Sequence, residues 1–150
     1  MQFSPYTREC LQNAGWREGR KVNTELYQHA LRGEGYPIHY ARVLAFLTKF
    51  GGLVIAYAVQ DGQQRRLTLR IDPKRAFRVT KREEVKRHMK RAREADGCLL
   101  GTCRSGEMAL VMAASGRVYG ICQGRLWRVA ASGEEAIQAI CDDHALLPVK

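Results

Sequence analysis

The stretch "FLTKFGGLVIAYAV", residues 46–59, sets Gly51 and Gly52 between an amphipathic segment and an unbroken apolar run. The direction in which the chain crosses these glycines decides the fold class. A phosphate-cradling loop runs strand, glycine loop, helix, because free backbone N–H groups and the positive dipole end lie at a helix N-terminus. Here the order is reversed. Tyr40, Val43, Leu44 and Leu47 recur at i, i+3, i+4 and i+7, with Phe50 three further on, which predicts a helix with one buried face. Leu53 to Val59 reads as a buried strand. The glycines therefore close a helix C-terminus, where Gly takes the left-handed conformation that caps the last turn and where the dipole repels anions. The spacing predicts a helix-to-sheet turn, not a nucleotide site.

Upstream the signals are helical. Ser4 is an N-cap with Pro5 at the first helical position and Gly15 beyond the end, and Asn23 or Thr24 opens a second helix that Gly33 closes. Downstream they become those of strands. An Asp61-Gly62 turn separates the run ending at Val59 from Leu67, Leu69 and Ile71, which alternate with Thr68 and Arg70, and this predicts a hairpin. In "EMALVMAASGRVYGICQGRLWRVA" the pairs Ser115-Gly116 and Gln123-Gly124 punctuate three apolar runs, as in a meander with Leu110, Met112, Val118, Ile121, Leu126 and Val129 in the core. Trp127 suits either an inward or an outward position. Between the strand groups, Thr80 with Glu83 reads as a capping box before Val85, Met89 and Ala92 at helical spacing, with Gly97 as the stop. Ser132 with Glu135 reads as a second box ahead of Ile137, Ile140 and Cys141. The order predicts one α+β domain over residues 1–150: a hairpin plus a three-stranded meander in an antiparallel sheet, packed with about five helices.

Composition sets the class. At 150 residues, 45% hydrophobic and 27% charged, the chain can bury a real core. No stretch approaches the roughly 18 uninterrupted apolar residues of a membrane span, and the start "MQFSPYTREC" has no secretory pattern, so a cytoplasmic location without membrane partners is expected. Cys10, Cys98, Cys103, Cys122 and Cys141 are odd in number and form no C-x-x-C pair, which reads as reduced core thiols. His29, His39, His88 and His144 make no ligand cluster, so neither metal nor other cofactor is expected. A Cys and His nucleophilic pair that meets only in space stays open.

Charge is segregated along the chain. Residues 65–93 hold thirteen Lys or Arg against three acids, a net of +10, while the remainder carries twelve of each and sums to zero. Lys86, Arg87, Lys90, Arg91 and Arg93 fall opposite the Val85, Met89 and Ala92 stripe on a helical wheel, and such a face attracts an acidic protein or a polyanion.

"GWREGRKV" (Gly15, Trp16, Gly19, Arg20, Val22), "GEGY", "VLAFLTKFGGLVI", "RIDP" at 70–73, "LLG" at 99–101, "SGRVYG" at 115–120 and "SGEEAIQAI" occur in that order. The series, spanning about residues 10–142, resembles the third family of the SUKH superfamily. The resemblance implies a bacterial immunity protein, encoded beside a polymorphic toxin, that neutralises the toxin by forming a complex and has no catalytic residues of its own. Two departures stand out. Ala113, Ala114 and Ser115 occupy a place where the family often carries an acid, and the basic helix at 81–95 looks longer and more charged than the family's usual connection. A cationic variable element implies a cognate toxin domain with an acidic surface. Lys86, Arg87, Lys90, Arg91 and Arg93 are thus the expected partner-binding residues, while Trp16, Gly19, Arg20, Phe50, Gly51 and Gly52 are expected to serve the architecture: Trp16 as a packing anchor, Arg20 capping a helix end or pairing with a buried acid. The alternative from charge alone is nucleic-acid binding by residues 65–93, but Phe77 is the segment's one aromatic and no reader motif is present.

Overall fold

A computed structural model of the chain describes residues 2–59 and 61–150. Its elements run α1 (Pro5–Asn13), α2 (Glu25–Gly33), α3 (Ala41–Phe50), β1 (Val54–Ala58), β2 (Arg66–Arg70), α4 (Pro73–Ala76), α5 (Arg82–Arg91), β3 (Gly97–Cys103), a 3-10 turn (Arg104–Gly106), β4 (Met108–Ala113), β5 (Val118–Cys122), β6 (Arg125–Ala130), α6 (Gly133–Cys141) and β7 (Leu147–Pro148). The strands form one seven-stranded sheet in sequence order, each antiparallel to the next. The class is the expected α+β, and among the described residues there are six helices and two strands more than predicted.

The unpredicted β3 joins the expected hairpin to the expected meander. Its residues, "GCLLGTC", are buried without a break, and so is β4 beside it. Helices cover both faces here, so the period-two alternation that marks a half-exposed strand is absent. Met112 on one face reaches Gly133 of α6 and Phe46 of α3, while Val111 on the other meets Gly97 and Met89 of α5. Gly97 therefore opens β3 and does not stop α5. The other missed elements are short. In "RIDP", Asp72 accepts a hydrogen bond from the Lys74 amide at 3.1 Å and Pro73 takes the first position of the single-turn α4.

The helix ends follow their capping chemistry. Ser4 Oγ accepts from the Thr7 amide at 3.2 Å and Ser132 Oγ from the Glu135 amide at 3.2 Å, as read. Thr24 is the N-cap of α2 without a side-chain cap bond, and Asn23 Oδ1, one residue earlier, accepts from the Glu25 amide at 2.8 Å. Gly33 is the last residue of α2, and the reversal comes two residues later, where the Tyr36 amide closes onto the Leu31 carbonyl. The Thr80-Glu83 box does not form. Lys81 is the N-cap of α5, and the Thr80 hydroxyl instead donates to Glu84 at 2.5 Å. Of the expected core, Leu110, Met112, Val118, Ile121 and Leu126 are buried and Val129 is partly buried, while Trp127, which suited either position, is also partly buried.

The opening pair of glycines lies between α3 and β1. Gly51 caps α3 in an extended conformation, and it is Gly52 that takes the left-handed φ of +84°. Gly52 is held to glycine by that φ, and Gly51 by a lack of room. A Cβ on Gly51 would lie 2.5 Å from the Leu47 carbonyl oxygen and 2.7 Å from the Tyr27 ring. The Gly52 amide then donates to the Ile71 carbonyl at 2.7 Å, carrying the chain directly into pairing with β2.

Candidate functional site

Two regions contain the residues singled out from the sequence. The first is the corner at the end of α3. Trp16, Phe3 and Phe50 pack as a trio, Trp16 stacked on Phe50 at 5.7 Å and Phe3 edge-on to both. Trp16 and Phe50 are both buried. Arg20 Nη1 donates to the Lys49 carbonyl at 2.9 Å and Nη2 to the Gly51 carbonyl at 2.8 Å, satisfying two acceptors left over where the helix ends. Gly19, with φ +82°, turns the chain so that Arg20 arrives there. These residues surround a cleft of about 340 Å³ whose floor is Phe3, Trp16 and Phe50.

The second region is the cationic surface. α5 presents Val85, His88 and Met89 inward, each no more than 2% exposed, and Lys86, Arg87, Lys90 and Arg91 outward. Glu83 and Glu84 occupy its first turn and Lys90 and Arg91 its last, the arrangement the helix dipole favours. The helix is shorter than expected. It ends at Arg91, and the Glu94 amide closes onto the Met89 carbonyl at 2.9 Å, which places Arg93 in the left-handed turn at φ +62°. Arg93 is still exposed and lines a shallow depression with Lys86 and Lys90.

Neighbouring acids are already engaged. Asp96 receives a two-pronged hydrogen bond from Arg82 at 2.9 and 2.5 Å, and the guanidinium lies 4.7 Å over the Tyr36 ring. Burial works to raise the Asp96 carboxyl, but hydrogen bonds from Arg82 and the Gly97 amide hold it below the usual range. Glu94 accepts from the Tyr119 hydroxyl at 2.7 Å and meets Arg117 at 3.4 Å. Lys86 pairs with Glu83 at 3.8 Å in the open, where such contacts contribute little. Among the described residues, Arg87, Lys90, Arg91 and Arg93 make no ion pair.

Beneath this surface His88 is buried, with neither ring nitrogen hydrogen-bonded to the described residues; Glu84 lies 3.9 Å away. Burial lowers its pKa, Glu84 acts to raise it, and Arg87 and Arg91 lower it further. The folded protein thus favours the neutral ring, so the unfolded state binds more protons once the pH falls below the ordinary value of 6.5. The His88 contribution is present above that value and is lost as the pH falls toward the depressed folded pKa. Urea unfolding should show stability declining from pH 7 to pH 5. In His88→Leu, which also removes two unpartnered buried nitrogens, that decline should be smaller; equal declines would contradict this reading.

Of the thiols and histidines, Cys103 and His144 line one cavity. All five cysteines are free, and four are buried. Burial pushes the Cys98 and Cys103 thiols up to about 12, far from the thiolate a nucleophile needs. Among the described residues no group of three or more His, Cys, Asp or Glu could hold a metal ion. No helix among them is long and apolar enough to cross a membrane.

The partner-binding residues expected from the sequence lie on α5 and, for Arg93, in the turn that follows it. The structure adds a second group from the same basic segment: Arg66, Lys74, Arg75 and Arg78 are exposed and Arg70 is half-buried, around the outer face of β1 and β2. The segment's charge count contained this signal, but the helical wheel could not, because these residues come from a strand, a single helical turn and the turn after it.

A family model described as "SUKH-3 immunity protein" matches residues 3–143. No curated protein and no solved structure matches the chain. The span of the family model includes the aromatic corner, the Gly51-Gly52 turn, all but the last of the seven strands and every helix, so the chain belongs to the SUKH-3 immunity protein family.

Proposed function

We propose that this chain neutralises a polymorphic toxin domain encoded by an adjacent gene, by forming a stoichiometric complex with it in the cytoplasm of the cell that makes both. The observation that carries this reading is membership of an immunity family over residues 3–143. The physical properties of the chain support it. Its net charge of +10 resides in residues 65–93, which present unpaired cations to solvent, and this favours a toxin with an acidic surface. Inhibition then needs no turnover, only occlusion of the toxin's active site or of a surface its substrate uses. Lys86, Arg87, Lys90 and Arg91 on α5, with Arg93 in the turn after it, are the proposed contact and steering residues. Trp16, Gly19, Arg20, Phe50, Gly51 and Gly52 are proposed to hold the α3–β1 corner in shape.

The same cations would serve a nucleic-acid binder, which is the second reading. Co-expression with the toxin domain separates the two. An immunity protein rescues growth and co-purifies with the toxin after nuclease treatment, whereas a nucleic-acid binder would do neither and would be retained on oligonucleotides with a steep salt dependence.

A further inference from the structure

α5 is a good steering surface but a poor interface centre, because its outward face carries Lys86, Arg87, Lys90 and Arg91 and no large apolar group. Tight interfaces centre on desolvated apolar or arginine-lined pockets with charge at the rim. The β1–β2 hairpin offers such a place. β2 pairs with β3 only at Arg70 and Thr102, and the Thr68 amide is taken by the Ser105 side chain at 3.2 Å. The outer face of the hairpin is left uncovered. A shallow groove of about 370 Å³ lies there, with Val54, Val79 and Thr68 exposing apolar surface and Arg70, Arg75 and Arg78 along its wall. No acidic residue lines it, and Val54 is 46% exposed.

The edge of β1 is also open. The Val59 amide bonds to Arg65 and the Ile71 amide to Leu53, so odd-numbered residues of β1 face β2 and even-numbered ones turn their N–H and C=O outward. Ala58 donates outward to the Tyr6 hydroxyl at 2.8 Å, which closes one end of the edge. The outward backbone groups of Val54 and Ala56 have no such partner among the described residues. At the other edge of the sheet, β7 is two residues long and includes Pro148, so it offers little for a strand to pair with.

Resting on the toxin-inhibitor reading, we propose that an acidic segment of the toxin pairs in extended form with the β1 edge at Val54–Ala56 and continues past Val54 across the outer face of the hairpin, placing its carboxylates against Arg70, Arg75 and Arg78. Arginine forks match carboxylates, and strand addition supplies main-chain hydrogen bonds that only a polypeptide can make. The groove has no aromatic ring on which a base would stack, which favours protein over nucleic acid.

The test uses the purified toxin domain encoded beside this chain, with association and dissociation rates measured by surface plasmon resonance. Two variants probe the two halves of the contact. Arg75→Glu with Arg78→Glu changes exposed side chains that make no ion pair among the described residues. Ala56→Pro removes an N–H that β2 does not use, at an edge position where proline is tolerated. Dissociation should accelerate about 30-fold or more in each, with the urea midpoint held as the folding control. Unchanged dissociation in either folded variant, with wild-type complex formation intact, overturns this proposal and leaves the toxin-inhibitor reading standing. Failure of the wild type to bind the toxin overturns both. Loss of oligonucleotide retention in the arginine variant, with toxin binding unaltered, assigns the groove to nucleic acid and also overturns it.

Discussion

Gly101→Ala should abolish folding or come close to it. Gly101 has φ +156° and sits where the β3–β4 register shifts, after Leu99. A Cβ there would lie 1.9 Å from the Arg70 carbonyl oxygen, 2.9 Å from the Asp72 nitrogen and 3.0 Å from the Arg70 carbonyl carbon. All three are backbone atoms, so no rotamer change relieves the overlap. Relief requires moving β2 away from β3 at Arg70–Thr102, the one place where these strands pair. A loss of about 4 kcal/mol or more is expected from steric disruption of this kind, against a total stability of about 5–15 kcal/mol for a domain. Gly62→Ala is the control, since its φ of +79° is also positive but nothing lies within 4 Å of a Cβ there. It should lose only about 1 kcal/mol of backbone strain. Soluble yield and urea midpoint measure both. A Gly101→Ala protein with a midpoint near that of Gly62→Ala would contradict the packing described for this bulge.

The second large effect concerns association. Replacing Lys86, Arg87, Lys90 and Arg91 with Glu moves the net charge from +10 to +2 without touching Val85, His88 or Met89. The fold should survive, less roughly 1 kcal/mol for placing acids at the negative end of the α5 dipole. If α5 steers an acidic toxin, the association rate should fall about 10- to 100-fold at low salt, while dissociation changes far less. The difference should shrink as the Debye length drops from about 10 Å at 0.1 M salt to about 3 Å at 1 M. Stopped-flow mixing across that salt series measures it. Equal association rates for the parent and the four-Glu variant at every salt concentration would leave α5 as an ordinary solvated face.

The two designs separate steering from seating. α5 acts at a distance and its loss appears in association, whereas the hairpin groove makes contact and its loss appears in dissociation.

Much of the fold was legible from local signals that tertiary packing did not override. The 3.6-residue spacing of Val43, Leu47 and Phe50 gave α3, and the left-handed turn at Gln123-Gly124 joined β5 to β6 as the punctuation implied. β3 was not legible, because a strand covered on both faces shows no alternation and its glycines look like stops. The Thr80-Glu83 box failed for a related reason. Lys81 starts the helix one residue later, so the Thr80 hydroxyl reaches Glu84 instead. For the candidate site, the sequence identified the basic segment and the exposed side of α5. It could not bring Arg70, Arg75 and Arg78 together with Val54, since that neighbourhood depends on how β2 leaves the sheet beside the 3-10 turn.

The central claim is inhibition by stoichiometric binding, and titration of the toxin's activity tests it most directly. With the purified toxin domain at a fixed concentration well above the dissociation constant, residual activity should fall linearly as this chain is added. It should reach zero at one equivalent, with the two proteins eluting as one complex in gel filtration. Suppression of the toxin by a small fraction of an equivalent, increasing with incubation time and leaving no complex, would mean that the chain acts by turnover and would contradict the account.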